Sequence, residues 1–269
     1  MRYLPCLAIV GLLLSGCATS PDNPSFPVST SEAHDDIARM QKHPVPFQRP
    51  LVVIGGFLDP DVSPPIFADY FQSISCGAKI IPVSLLLCGN MEDCRQTVIE
   101  AVDKACPDSD PIWTTEVDVV GASLGGLAGR YAAAPSQDSN HLRRLKIAHL
   151  FTISSPHSGA KIAGVIPLTG FGPELSPGSD FLKYVAQFDG TASYEIYPYV
   201  HLDDEIVGDR NAAPPGQNPY WLPSNAPLPP HMGAVLDERI LADISRRLRG
   251  ETPYTIPPPE PLPEYEGFQ

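Results

Sequence analysis

The sequence predicts an α/β layer fold with a mostly parallel central sheet and helices on both faces, and three observations predict it. From Leu51 onward, short apolar runs alternate with longer amphipathic ones, the pattern of strands and the helices that cover them. One run, Val117-Asp118-Val119-Val120, leads through Gly121-Ala122-Ser123-Leu124-Gly125 straight into a helical segment. The chain has 269 residues, room for one large domain once its ends are set aside.

Taken in order, Leu51-Val52-Val53-Ile54 reads as a buried strand closed by Gly55-Gly56. A helix is expected over 66–75, just after Pro64-Pro65, and a strand over 79–83. Residues 92–105 carry Val98, Ile99 and Val102 on one helical face, and Val117–Val120 forms the next strand. The helix that follows, Leu124–Ala133, is ended by Pro135, and Ile147–Ile153 returns as a strand. After a long insertion come a strand over 195–200 and a closing amphipathic helix over 236–248. That helix places Arg246, Arg247 and Arg249 near its negative C-terminal end.

The two ends read differently from the middle. Arg2 precedes an apolar run from Leu7 to Leu14 that closes in Leu14-Ser15-Gly16-Cys17. The run fits a secretory signal peptide of roughly 7–15 apolar residues and falls short of the ~20 that cross a bilayer. Leu-Ser-Gly-Cys is similar to the lipobox of bacterial lipoproteins. The resemblance implies removal of residues 1–16, lipid on Cys17 and, with Ala18 next, an outer-membrane address on the periplasmic face or cell surface. Residues 17–49 and the proline-rich 251–269 are read as a flexible tether and a disordered tail. The folded body is then 50–250.

The net charge of -13 argues against nucleic acid as a partner. With Cys6 in the signal and Cys17 lipidated, Cys76, Cys88, Cys94 and Cys106 remain, and an oxidising compartment favours disulfides among them. Three pairings are open; Cys88 with Cys94, around Gly89-Asn90-Met91, and Cys76 with Cys106 is preferred. No pair has the C-x-x-C spacing of a zinc site, so no metal is expected.

The chemistry concentrates at Gly121-Ala122-Ser123-Leu124-Gly125, a G-x-S-x-G between strand and helix. Such a sharp turn needs small residues at Gly121 and Gly125, and it lifts the Ser123 hydroxyl to the positive end of a helix. A Gly/Ser turn without chemistry is the competing explanation, and the strand–helix context weighs against it. Gly125-Gly126-Leu127-Ala128-Gly129-Arg130-Tyr131 and Thr152-Ile153-Ser154-Ser155-Pro156-His157-Ser158-Gly159 are similar to the G-G-L-x-x-R-Y helix and the T-I-x-T-P-H-x-G stretch of triacylglycerol-lipase-like esterases. The chain therefore resembles the α/β-hydrolase superfamily over roughly residues 50–249. Two positions depart from that pattern: Ala122 and Gly55 stand where these lipases usually have His.

The resemblance implies a serine esterase or lipase that works through an acyl-enzyme, without cofactor, on an ester or lipid substrate with an apolar acyl group. The oxyanion donors expected from it are the backbone N–H groups of Phe57 and Leu124. Its triad order, Ser then acid then His, makes Ser123 the nucleophile. His34 and His43 lie in the tether, His141, His149 and His157 precede any plausible acid, and His201 sits too close to Asp203. His231, after Pro227–Pro230, remains as the base. In His201-Leu202-Asp203-Asp204-Glu205-Ile206-Val207 the register of the family's D-x-x-V gives Asp204 as the acid and Asp203 as runner-up, since neighbouring side chains face opposite ways. The apolar insertion over 160–190 is either a lid or ordinary core. Leu175-Ser176-Pro177-Gly178-Ser179-Asp180-Phe181-Leu182 within it is similar to a stretch in lipases and lecithin-cholesterol acyltransferase-like enzymes. Two rival readings stand beside hydrolysis: a lipid acyltransferase using the same triad, and an inactive hydrolase fold acting as a lipid-binding envelope module.

Overall fold

The computed structural model describes residues 21–57, 63–163, 171–224 and 227–264. The signal peptide and Cys17 lie outside them. Six strands, β1 Leu51–Ile54, β2 Ile80–Val83, β3 Val117–Ala122, β4 Ile147–Ile153, β5 Glu195–His201 and β6 Tyr220–Leu222, form one sheet in the order β2-β1-β3-β4-β5-β6. Every pairing is parallel, with Val52 opposite Val119, Val119 opposite Leu150 and Val200 opposite Trp221. All strand C-termini therefore leave one edge of the sheet, and the loops following them converge there.

Period-two alternation splits each strand between two cores. On β1, Val52 and Ile54 enter one cluster, and Leu51 and Val53 enter the other. The first face is covered by α3 Met91–Ala105 and α4 Leu124–Ala133. The second is covered by α1 Thr30–Lys42, α2 Ser63–Ser73, α7 Pro230–Val235 and α8 Glu238–Leu248. No helix among the described residues is long and apolar enough to cross a membrane.

Three expectations change here, and of the two readings of the insertion one is taken up. The tether is folded from its middle onward: α1 begins with a capping box, in which Glu32 N–H donates to the Ser29 hydroxyl while the Glu32 carboxylate accepts from Ser29 N–H. Ala33, Ile37 and Met40, at i, i+4 and i+7, are buried, and burial of that stripe fixes the helix. Asp36 beneath it accepts from Arg39 and Arg246. The tail is tied down as well. Thr255 donates through its N–H and its hydroxyl to the fully buried Asp243, and Ile256 N–H donates to Ser25 O. The indole of Trp221 donates to the carbonyls of Glu260 and Pro261. Proline-rich chain needs no internal hydrogen bonds, so its carbonyls are free for such contacts.

The described part of the 160–190 insertion is core rather than cover. It forms α5 Gly172–Leu175 and α6 Asp180–Ala186, and Phe171, Leu175, Phe181, Leu182 and Val185 are buried in the first cluster. Residues 164–170 lie outside the description. The four cysteines are free thiols. Cys76 follows Ile74 of the second cluster while Cys106 packs on the first, so the sheet separates them and that pairing is geometrically closed. Cys88 and Cys94 do adjoin: the contact lowers the Cys88 thiol to about 7 and, with burial, pushes Cys94 far up.

Candidate active site

The turn from β3 to α4 holds Ser123 at φ 50 and ψ -123, a conformation that costs a non-glycine residue on the order of 1–3 kcal/mol. Its neighbours make it possible. A Cβ on Gly121 would come within 2.4 Å of Gly126 N, and one on Gly125 within 2.5 Å of Ile54 O. Ser123 N–H donates to Ile153 O at 2.8 Å, which anchors the strained residue to β4.

Ser123 Oγ lies 3.1 Å from His231 Nε2, and His231 Nδ1 lies 3.0 and 3.1 Å from the two Asp204 carboxylate oxygens. The three residues come from three separate segments at the C-terminal edge: the β3–α4 turn, the loop after β5, and helix α7. Asp204 is 2% exposed. Its Oδ1 also accepts from the N–H groups of Ile206 and Val207, at 3.0 and 2.8 Å. Burial pushes this carboxyl up, but His231, the Val207 N–H and the neighbouring Ser154 together hold it below the ordinary range. Asp203, at φ 62, is exposed and turned to solvent. Of the two carboxylates, Asp204 is the one that meets the His231 imidazole, with the left-handed Asp203 beside it exposed.

The backbone of the two residues expected to donate to an oxyanion, Phe57 and Leu124, borders Ser123. Leu124 is the first residue of α4, so its N–H has no intrahelical partner. Gly56 passes so close that a Cβ there would be 3.2 Å from Ser123 Cβ, which brings the 55–57 backbone alongside the hydroxyl. The Phe57 ring meets Phe171 edge-on with centroids 5.2 Å apart, and both pack on the apolar cluster containing Leu124 and Leu175.

Sequence reasoning set His201 aside, and the structure gives it a place of its own. Its ring is 1% exposed, its Nε2 lies 2.7 Å from Asp237 Oδ2, and Arg239 donates to the same carboxylate from its Nε and Nη2. Asp237 also caps α8 by accepting from Arg239 N–H. Burial raises the Asp237 carboxyl, and His201 and Arg239 outweigh it to bring it to about 2. The imidazole packs under Gly233, where an added Cβ would come 3.3 Å from Nδ1. Gly233 is two residues from His231, so this second buried His–carboxylate pair supports the helix α7 that carries His231. No local motif announced it, because Asp237 lies 36 residues away in sequence. His157, by contrast, is enclosed away from Ser123 and His231. It is held between Thr152 Oγ1 at 3.0 Å and the Arg130 guanidinium at 3.3 Å, and burial, with Arg130 beside it, drives its pKa well down.

Among the described residues no group of His, Cys, Asp and Glu is arranged to hold a metal. No protein-family profile and no curated relative matches the chain. Solved structures do. The mature lipase BlEst2 of Bacillus licheniformis aligns at 15% identity with a TM-score of 0.48, over 80% of this chain and 95% of that one. The metagenomic carboxyl esterase MGS0156 aligns at 13% and 0.44, over 77% of each. Phospholipase PlaB of Legionella pneumophila aligns at 12% and 0.43, over 61% of this chain and 44% of that one. With a parallel sheet ordered β2-β1-β3-β4-β5-β6 and Ser123 raised on the turn between β3 and α4, the chain has the α/β-hydrolase fold.

Proposed function

We propose that the protein hydrolyses carboxylic esters with an apolar acyl group through an acyl-enzyme on Ser123. The observation that carries this reading is the unbroken relay from Ser123 Oγ to His231 to Asp204, each link within 3.1 Å. His231 Nε2 takes the hydroxyl proton as Oγ attacks the ester carbonyl. The carbonyl oxygen becomes an oxyanion facing the N–H groups of Phe57 and Leu124. On collapse the proton passes to the departing alkoxide, leaving an alcohol and an acyl-Ser123 ester. Water, deprotonated by the same imidazole, then attacks that ester and releases the acid. Asp204 stays ionised throughout, orients the ring through Nδ1–H and stabilises the imidazolium.

The lipase, carboxyl esterase and phospholipase activities named for the aligned structures agree with this reading without carrying it. The test is a chain-length series of p-nitrophenyl esters on the folded protein, with Ser123→Ala as control. Burst release of p-nitrophenol followed by slower turnover supports an acyl-enzyme. Turnover undiminished in Ser123→Ala overturns the assignment. The same proposal places the enzyme at the bacterial envelope through lipid on Cys17, on the strength of Leu14-Ser15-Gly16-Cys17. Cys17→Ser is expected to release an active protein from the membrane fraction, since acyl chains supply nearly all of such an anchor's affinity.

A further inference from the structure

At the opposite edge of the sheet, about 20 Å from Ser123 along the six residues of β3, lies a cavity of about 540 Å³. It is bounded by the chain entering β3, β4 and β5 and by the C-terminal ends of α4 and α6. The volume is that of a small-molecule site. None of the triad takes part in it.

Its walls combine one unneutralised cation with aromatic faces. The Arg144 guanidinium carbon lies over Trp113, 4.3 Å from the ring centroid. Its Nε and Nη2 both donate to the Ala133 carbonyl, at 2.9 and 2.6 Å. Among the described residues it has no carboxylate partner, and its Nη1 makes no hydrogen bond. The other two cations lining the cavity are matched: Arg130 forms a forked pair with Asp189, and Lys146 pairs with Glu116. Burial and the nearby Arg95 both work against the Arg144 charge. A half-buried guanidinium without a counter-ion is unfavourable on its own account and is relieved by an anion. Tyr194 stands on the same wall, and its hydroxyl has no partner among the described residues.

We propose that this cavity binds a small monocarboxylate with an apolar body. Arg144 would meet the carboxylate with its free edge, Tyr194 would donate a further hydrogen bond, and Ala134 and Val185 would take the apolar part. A guanidinium presents parallel donors that match two carboxylate oxygens. The rim selects against more highly charged anions. Asp108 and Asp110 stand there exposed and repel a phosphate dianion more strongly than a single carboxylate. The site stands independently of the ester chemistry proposed above, because none of its residues touches Ser123, His231 or Asp204.

The probe is hexanoate, titrated into the full chain while Trp113 fluorescence is followed, with calorimetry in parallel. A saturable change is expected with hexanoate, at constant ionic strength, and not with hexylamine or inorganic phosphate. Arg144→Gln is expected to weaken binding at least about tenfold, the loss of a charged hydrogen-bonding partner, with ester hydrolysis unchanged below a melting transition that is itself lowered by loss of the two hydrogen bonds to Ala133 O. Arg144→Lys, which keeps the charge but not the fork, should fall between. Because hexanoate can also enter an acyl site at Ser123, the titration is repeated on Ser123-phosphonylated protein, where the Trp113 response must persist. Absence of a saturable change, equal binding by phosphate or hexylamine, retention of affinity in Arg144→Gln, or loss of the response on phosphonylation would each overturn the proposal.

Discussion

Replacing Asp204 by Asn isolates the acid's contribution more cleanly than any other single change. Asp204 Oδ1 accepts from two backbone N–H groups as well as from the imidazole, so the amide oxygen of Asn has a ready place at 3.0 and 2.8 Å from Ile206 N and Val207 N. Its NH₂ is then forced toward His231 Nδ1. Two donors cannot face each other, so the ring moves its proton to Nε2, where it points at Ser123 Oγ and can no longer accept that hydroxyl's proton. The fold is undisturbed and the tautomer is wrong. The loss expected is on the order of 10⁴ in turnover, the value of the same change in the serine-protease template, or roughly 5.5 kcal/mol at 1.36 kcal/mol per tenfold. Asp203→Asn touches an exposed side chain and is expected to cost less than about threefold, as surface changes do. The assay is p-nitrophenyl ester hydrolysis by both variants at one pH, with melting curves to show both are folded. If Asp203→Asn were the slower enzyme, or Asp204→Asn lost less than tenfold, the tautomer argument would be refuted.

Three further outcomes follow from the same geometry. Gly121→Ala drives a methyl to within 2.4 Å of Gly126 N and is expected to destabilise the protein by about 3 kcal/mol or prevent folding; an unshifted melting temperature would show the turn to be looser than described. Truncation after Gly250 removes both Thr255 hydrogen bonds to buried Asp243 and is expected to cost roughly 3 kcal/mol or more by chemical denaturation, at 1.5–3 kcal/mol per bond to a charged group. An unchanged denaturation midpoint would restore the reading of a loose tail. The Asp237 carboxyl, lowered from 3.8 to about 2, contributes stability that is present above its unfolded pKa and lost as pH falls through its folded one. The expectation is a fall of about 2 kcal/mol between pH 4 and pH 2 that Asp237→Asn flattens.

How much of this was legible in the sequence depends on whether the cause was local. The β3–Ser123–α4 turn was readable because its glycines answer to contacts only a few residues away. Asp204 and His231 were named through a family resemblance and chain order, and that Asp204 rather than Asp203 meets the His231 ring shows only in the folded chain. Helix α1 carried its own sign, the Ser29-x-x-Glu32 capping box followed by Ile37 and Met40, but proline and serine around it made the region read as tether. The short strand β6 and the docking of the 253–261 segment left no sign, since both are specified by partners elsewhere: Leu202, Asp243, Ser25 and Trp221. The His201–Asp237–Arg239 cluster and the Arg144 cavity belong to the same class, being assembled by tertiary packing alone.

Acylation of Ser123 is read out by intact-mass analysis after rapid acid quench from p-nitrophenyl butyrate. A mass increase of one butyryl group is expected during the burst, mapped by peptide digestion to the segment containing Ser123 and absent from Ser123→Ala. Steady turnover with the acyl group found on a different residue, or with no acylated protein at any quench time while Asp204→Asn accumulates none either, would contradict it.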